Sequence, residues 1–300
     1  MDLLQLKYFQ TVAKFQHMTK AADELYISQP SLSKTISQLE NELGVNLFDR
    51  RGKKIYINEY GKTFLKNVDK IFSLLDDSKK QLKDLANCET GTINLVMLVG
   101  SSFLSDILDK FNELHPNIYF NLIQHLSPSN NIDFDLSITS SYEPPKSNNC
   151  ITLLTEEIGL AVPKNHNLAE KTDINLKDLE NENFIRLKSG HELRKLTDIF
   201  CSKEHLKLTT IFESDDPGTV RGLISTGKGV AFFPLISWKI SNTENIKLLN
   251  IKDAVCKRSI YITWPENRHL SNSCQLFIEF IKSYFNEINE EYLLRKSLKS

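Results

Sequence analysis

Cysteine is sparse in this 300-residue chain, and the five present (Cys88, Cys150, Cys201, Cys256 and Cys274) are scattered. No CxxC pair and no metal-ligand spacing occurs among them, which excludes a disulfide framework and a cysteine metal site. The set reads as reduced, mostly structural thiols, with Cys201 the first candidate if one of them is a redox switch. Long apolar runs are also lacking: none approaches the roughly 18 residues that span a bilayer. The opening MDLLQLKYFQ has no basic head, apolar stretch and small-residue cleavage site, so the chain is expected to stay in the cytoplasm, away from membranes. No Ser/His/Asp grouping can be assembled, and GKGVAFFP does not meet the G-x-G-x-x-G arrangement. An enzyme is therefore not expected, and no cofactor or metal is implied. Internal repeats and low-complexity segments are absent too.

Net charge is low as well, at −1, which removes any general attraction to polyanions. Distribution matters more than the sum. RRGKK, residues 50–54, concentrates four basic side chains around one glycine.

What the chain does have begins with short amphipathic helices. Leu3, Leu6, Phe9, Val12 and Ala13 form one apolar stripe, and Ala21, Ala22 and Leu25 form the next, with Thr19 as the expected N-cap of that second helix. The segment Tyr26–Gln29 reads as a turn, and Pro30 suits the first position of a third helix. Leu32, Ile36, Leu39 and Leu43 give that helix its buried stripe. Its other face carries Ser31, Ser33, Lys34, Ser37 and Gln38, short or hydrogen-bonding residues with few of the charged pairs of a solvated helix. Two helices joined by so short a turn form a helix-turn-helix. Alternation over 49–58 around RRGKK adds a small hairpin, or wing.

From Asn58 to about Leu85 the pattern is one long helix, ~40 Å at 1.5 Å per residue. Phe64, Leu65, Val68, Ile71, Phe72, Leu75 and Leu82 make its apolar stripe, and a helix so isolated implies a partner copy. After the linker CETGTIN, strands alternate with helices, predicting an α/β region with a largely parallel sheet in two lobes around a cleft. The expected divisions are 1–58 for the winged helix-turn-helix, 59–87 for the linker helix and 88–300 for the two-lobed domain. Within the last, lobe I takes about 92–161 and 266–300, and lobe II about 162–265.

Over residues 1–65, MDLLQLKYFQTVA, TKAADELYISQPSLSKTISQLENELGVNLFDRRGKK and Gly61 resemble the LysR-type transcriptional regulators almost continuously. AVPKNHNLA and GLISTGKGVAFFP resemble the effector-binding domain of that family more loosely. The resemblance implies an α plus α/β chain: an N-terminal winged helix-turn-helix, a dimerising linker helix and a C-terminal two-lobed α/β domain similar to periplasmic binding proteins. It implies a homodimer or homotetramer on double-stranded DNA, with RNA polymerase a further partner of an activator.

With the third helix in a major groove, Gln29, Ser33 and Lys34 are placed to reach base edges, and Ser28, Ser31 and Ser37 to donate to phosphates. Gln29, Pro30, Ser33 and Lys34 match DNA-contacting positions of the family, though Lys34 stands where arginine is more usual. Thr19 belongs with the same face, and Arg51, Lys53 and Lys54 put the wing against phosphates or the minor groove. For the cleft, the resemblance points to Ser101 and Ser102 after a strand, Thr139, Gly190 and His191 at a helix start, Thr219 and Phe233. Hydroxyls and free amides at helix starts favour a small carboxylate or other anion. Only about ten residues, HLSPSNNIDF, stand where the family usually has another helix. The rival reading, a solute-binding protein built on the two lobes alone, leaves the first sixty residues without a use.

Overall fold

The computed structural model describes residues 1–51, 54–85, 90–124, 134–238, 245–252, 256–266 and 268–297. The chain divides into two compact units, Met1–Leu82 and Lys83–Ser300.

In the first unit, α1 (Leu3–Phe15) starts on a reciprocal cap: Asp2 accepts the Gln5 amide at 2.8 Å while the Gln5 side chain accepts the Asp2 amide. Gln16, at φ +46°, ends it and sends His17 into extended backbone. That turn starts α2 (Met18–Glu24) at once, so His17 and not Thr19 is its N-cap; Thr19 sits exposed in the first turn. The rank order of capping residues favoured threonine, and the left-handed Gln16 decided the position instead. Helix α3 (Gln29–Leu43) is capped by Ser28 and ends at Gly44, φ +72°. It starts one residue before Pro30, which occupies its second position.

The hairpin pairs β1 (Phe48–Arg51) with β2 (Lys54–Ile57), in register from Phe48↔Ile57 to Arg51↔Lys54. Glu40 on α3 accepts the amides of Leu47 and Phe48, tying the wing to the helix. The long helix α4 (Glu59–Leu85) is opened by Asn58, whose Oδ1 accepts the Gly61 amide at 2.9 Å. Gly61 lets that first turn press on the chain before the wing, since a Cβ there would sit 2.2 Å from the Leu47 carbonyl oxygen.

The α4 stripe splits into two uses. Val68 is fully buried (0 % exposed) in the core of its own unit, and Phe64, Leu65 and Phe72 pack against that core. Val68 is thereby withdrawn from the dimer seam expected of it, while Phe64, Leu65 and Phe72 are half-buried against the same core. Ile71, Leu75 and Leu82 remain exposed and are joined by Leu74.

The second unit opens with β3 (Gly91–Met97), α5 (Leu104–Leu114), β4 (Ile118–Ile123) and β5 (Leu136–Ser141). Strand β6 (Cys150–Pro163) follows, then β7 (Asp173–Ile174), β8 (Asn183–Leu187), α6 (Glu192–Lys203), β9 (Thr209–Ser214) and α7 (Pro217–Ser225). Strands β10 (Ala231–Pro234), β11 (Ile246–Ile251) and β12 (Lys257–Thr263) precede the closing helix α8 (Asn272–Ser297). Sheet order is β4-β3-β5-β12-β6-β11-β7, with β10 also on β6, while β8 and β9 pair apart.

The sheet is mixed rather than largely parallel. Strands β4, β3 and β5 are parallel, but β12 is antiparallel to both β5 and β6, and β10 and β11 are antiparallel to β6. A chain that leaves one lobe and returns lays its outgoing and returning strands side by side in opposite directions. The two cores meet inside β6: Leu153 and Leu154 belong to the first, and Ile158, Leu160 and Val162 to the second. Strand β12 lies with the first lobe, so the division falls near residue 157 and before 257. Residues 125–133, where a shortened family helix was expected, lie outside the described residues.

Candidate functional sites

The first unit presents α3 with two distinct faces. Leu32, Ile36 and Leu39 are buried against α1 and α2, and Leu43 is half-buried behind them. Ser28, Gln29, Pro30, Ser31 and Lys34 are exposed, and Ser33 and Ser37 half-exposed, on the opposite side. The Ser28 hydroxyl accepts the Ser31 amide at 3.4 Å, a long cap that leaves its proton free to donate outward. Arg51 and Lys54 stand in register across the hairpin, and the tip with Lys53 lies outside the described residues. Tyr26, which sequence reasoning left as an ordinary turn residue, is 96 % exposed at φ +55° beside the start of α3. Only its exposure distinguishes it, and the sequence does not state exposure.

In the second unit a cavity of about 870 Å³ lies between the lobes. Ser101 and Thr139 line it from the first lobe, and Gly190 and His191 from the second. Gly190 holds φ +108° with open space around its Cα, so glycine is there for the backbone turn and not for clearance. His191 is the N-cap residue of α6, yet its side chain accepts no helix amide.

Three expected contacts lie elsewhere. Ser102 donates to the Ser237 carbonyl at 2.5 Å, because α5 opens later, at Leu104, and leaves Ser102 in the preceding turn. Thr219 gives its amide and hydroxyl to Asp216, the N-cap of α7, at 2.7 and 2.8 Å. Those bonds hold the Asp216 carboxyl below its ordinary range, the Thr219 hydroxyl contributing most. Phe233 is buried in β10, edge-on to Trp238, and Trp238 is the one that faces the cavity.

One buried, multiply bonded group carries no signature in the sequence. Glu156 on β6 and Arg258 on β12, both buried, pair through Oε1 and Nε at 2.8 Å. Arg258 also lines the cavity, beside Ser140. A lone glutamate and a lone arginine in strand sequence reveal nothing until the register sets them opposite each other. Cys201 is buried, and burial pushes its thiol up to about 11, which opposes the thiolate a redox switch requires. Among the described residues no cluster of His, Cys, Asp and Glu could hold a metal ion, and no helix is long and apolar enough to cross a membrane.

Comparison with known sequences decides the family. A profile described as "Bacterial regulatory helix-turn-helix protein, lysR family" matches residues 3–62, and one described as "LysR substrate binding domain" matches residues 87–286. The chain belongs to the LysR family. As members are DNA-binding transcriptional regulators with an effector-binding domain, this LysR-type protein is one too, and the solute-binding alternative is set aside. It is 34 % identical over 294 residues to the uncharacterized HTH-type transcriptional regulator YybE of Bacillus subtilis, covering 96 % of this chain and 100 % of YybE. It is 31 % identical to the transcriptional dual regulator GltC of the same organism, covering 97 % and 99 %. Full-length CbnR, solved with its target DNA, has the same fold at a TM-score of 0.65 and 20 % identity, covering 94 % of this chain and 99 % of CbnR.

Proposed function

We propose that α3 of this regulator enters the major groove with Gln29, Ser33 and Lys34 at base edges. Gln29 suits the adenine N6/N7 pair, and Lys34 suits the guanine O6/N7 acceptors as a point charge, without the planar fork of arginine. Ser28, Ser31 and Ser37, with Thr19 and the exposed Pro30 turn, serve phosphate contact and close approach. Arg51, Lys53 and Lys54 of the wing add charge against the backbone. The observation that carries this reading is the face of α3 itself: short, polar and exposed, directly behind a fully buried stripe. A helix meant for water has no reason to hold so few charged pairs.

The protein acts as a homodimer or homotetramer in the cytoplasm, joined through the exposed part of α4, on two half-sites about one or more turns of ~34 Å apart. Its effector is a small carboxylate or similar anion held in the cavity between the lobes, which binds the molecule without transforming it. RNA polymerase is the further partner wherever the protein activates. Retention on a duplex column tests the DNA reading: Gln29→Ala with Lys34→Ala releases a folded protein at lower salt. Unchanged retention contradicts it.

A further inference from the structure

Of the charged side chains that line the cavity, Arg258 is almost wholly buried, at 4 % exposed. The others are paired or open to water: Lys195 is bound by Glu192 at 2.6 Å, and Asp215 stands 3.6 Å from Lys188.

Arg258 and its partner are unevenly satisfied. Glu156 is saturated. Its Oε2 accepts the amides of Ile236 and Ser237 at 3.0 and 2.7 Å, and its Oε1 accepts the Ser237 hydroxyl at 2.6 Å and Arg258 Nε at 2.8 Å. Arg258 Nη2 donates to Ser237 Oγ at 2.7 Å, and Nη1 reaches Ser140 Oγ only at 3.5 Å, the outer limit of a hydrogen bond. A guanidinium has five N–H groups, and these contacts engage three of them. A buried arginine with unused donors at a cavity wall is matched by a carboxylate, which its planar fork accepts in bidentate geometry.

The same guanidinium joins both segments by which the chain passes between lobes. Glu156 lies where β6 leaves the first core, and Arg258 itself lies at the start of β12, the strand by which the chain returns to that core after β11. We infer that Arg258 holds the carboxylate of the effector and links its capture to those two crossing segments. The inference rests on the reading of the cavity as the effector site. Hydroxyls of Ser101, Thr139 and Ser189 line the rest, with Glu143, so the acid carries hydroxyl or amino groups. Bound acid gives the guanidinium a further acceptor and restrains rotation of the lobes about the crossings.

The test uses the full-length protein and thermal unfolding with lactate, malate, succinate and glutamate, each beside its primary amide. At least one acid raises the melting temperature while its amide does not. Arg258→Lys weakens that acid by about tenfold, since a point charge replaces the fork. The double variant Glu156→Gln with Arg258→Gln keeps a neutral hydrogen-bonding pair, folds, and no longer responds to acid. Acid binding that survives in both variants overturns the inference, as does stabilisation by amides equal to that by acids, or a panel in which no acid binds. Ser101→Trp, which sets an indole on the first-lobe wall of the cavity where the acid would sit, separates the two readings. Acid binding that survives Ser101→Trp removes the cavity reading itself. Binding lost there but kept in the Arg258 variants removes only the role of Arg258.

Discussion

Glu156 and Arg258 occupy directly opposed positions on β6 and β12, at 1 % and 4 % exposure, so an ion pair sits inside the crossing between the lobes. Such a pair contributes little relative to a well-packed apolar replacement, but removing one member leaves an uncompensated buried charge. Glu156→Ala is therefore expected to cost about 3–5 kcal/mol. The paired neutral change to Gln at both positions costs clearly less. Denaturant unfolding of the three proteins checks the order, and a double variant less stable than Glu156→Ala contradicts it.

The α4 helix should give opposite phenotypes within eight residues, 68–75. Ile71→Glu with Leu75→Glu places charge on exposed apolar positions, and sedimentation should show a folded monomer. Val68→Ala instead removes buried methyl groups, costing about 2 kcal/mol without altering the assembly. A dimer that persists in the first variant moves the seam elsewhere.

Acid should weaken the cap of α7. The Asp216 carboxyl is held below its ordinary range, so its folded-state value lies under its unfolded one of about 3.9. Its contribution is present above that unfolded value and is lost as pH falls through the folded one. Asp216→Ala costs about 1 kcal/mol at pH 7 as a lost cap, and the deficit shrinks at pH 3. Unfolding of both proteins at the two pH values measures it; an unchanged deficit contradicts the assignment.

Cys201 should be inert. With its thiol buried and pushed up to about 11, iodoacetamide at pH 7.5 leaves it unmodified in the native protein and labels it after unfolding, as peptide mass spectrometry reads out. Labelling of the folded protein would restore the redox reading.

Much of this was legible in the sequence because it is local. The stripe of Leu32, Ile36 and Leu39, the Asn58 cap and the alternation around the wing are short-range patterns, and the structure contains each. What failed was what depends on neighbours distant in the chain. Thr19 lost the cap to His17 through the backbone of Gln16. Val68 looked like a seam residue until α1 and the wing covered it. Phe233 and Trp238 are both aromatic, and only packing tells which one faces the cavity. Glu156 and Arg258 are about a hundred residues apart, so no periodicity joins them.

The most direct test is to select sheared source-organism DNA with the purified protein at moderate salt and sequence what binds. The account predicts a few enriched sites with dyad symmetry for the native protein, and loss of that enrichment in Gln29→Ala with Lys34→Ala. Enrichment of the same sites by the folded double variant would contradict the assignment of α3 as the element that reads sequence.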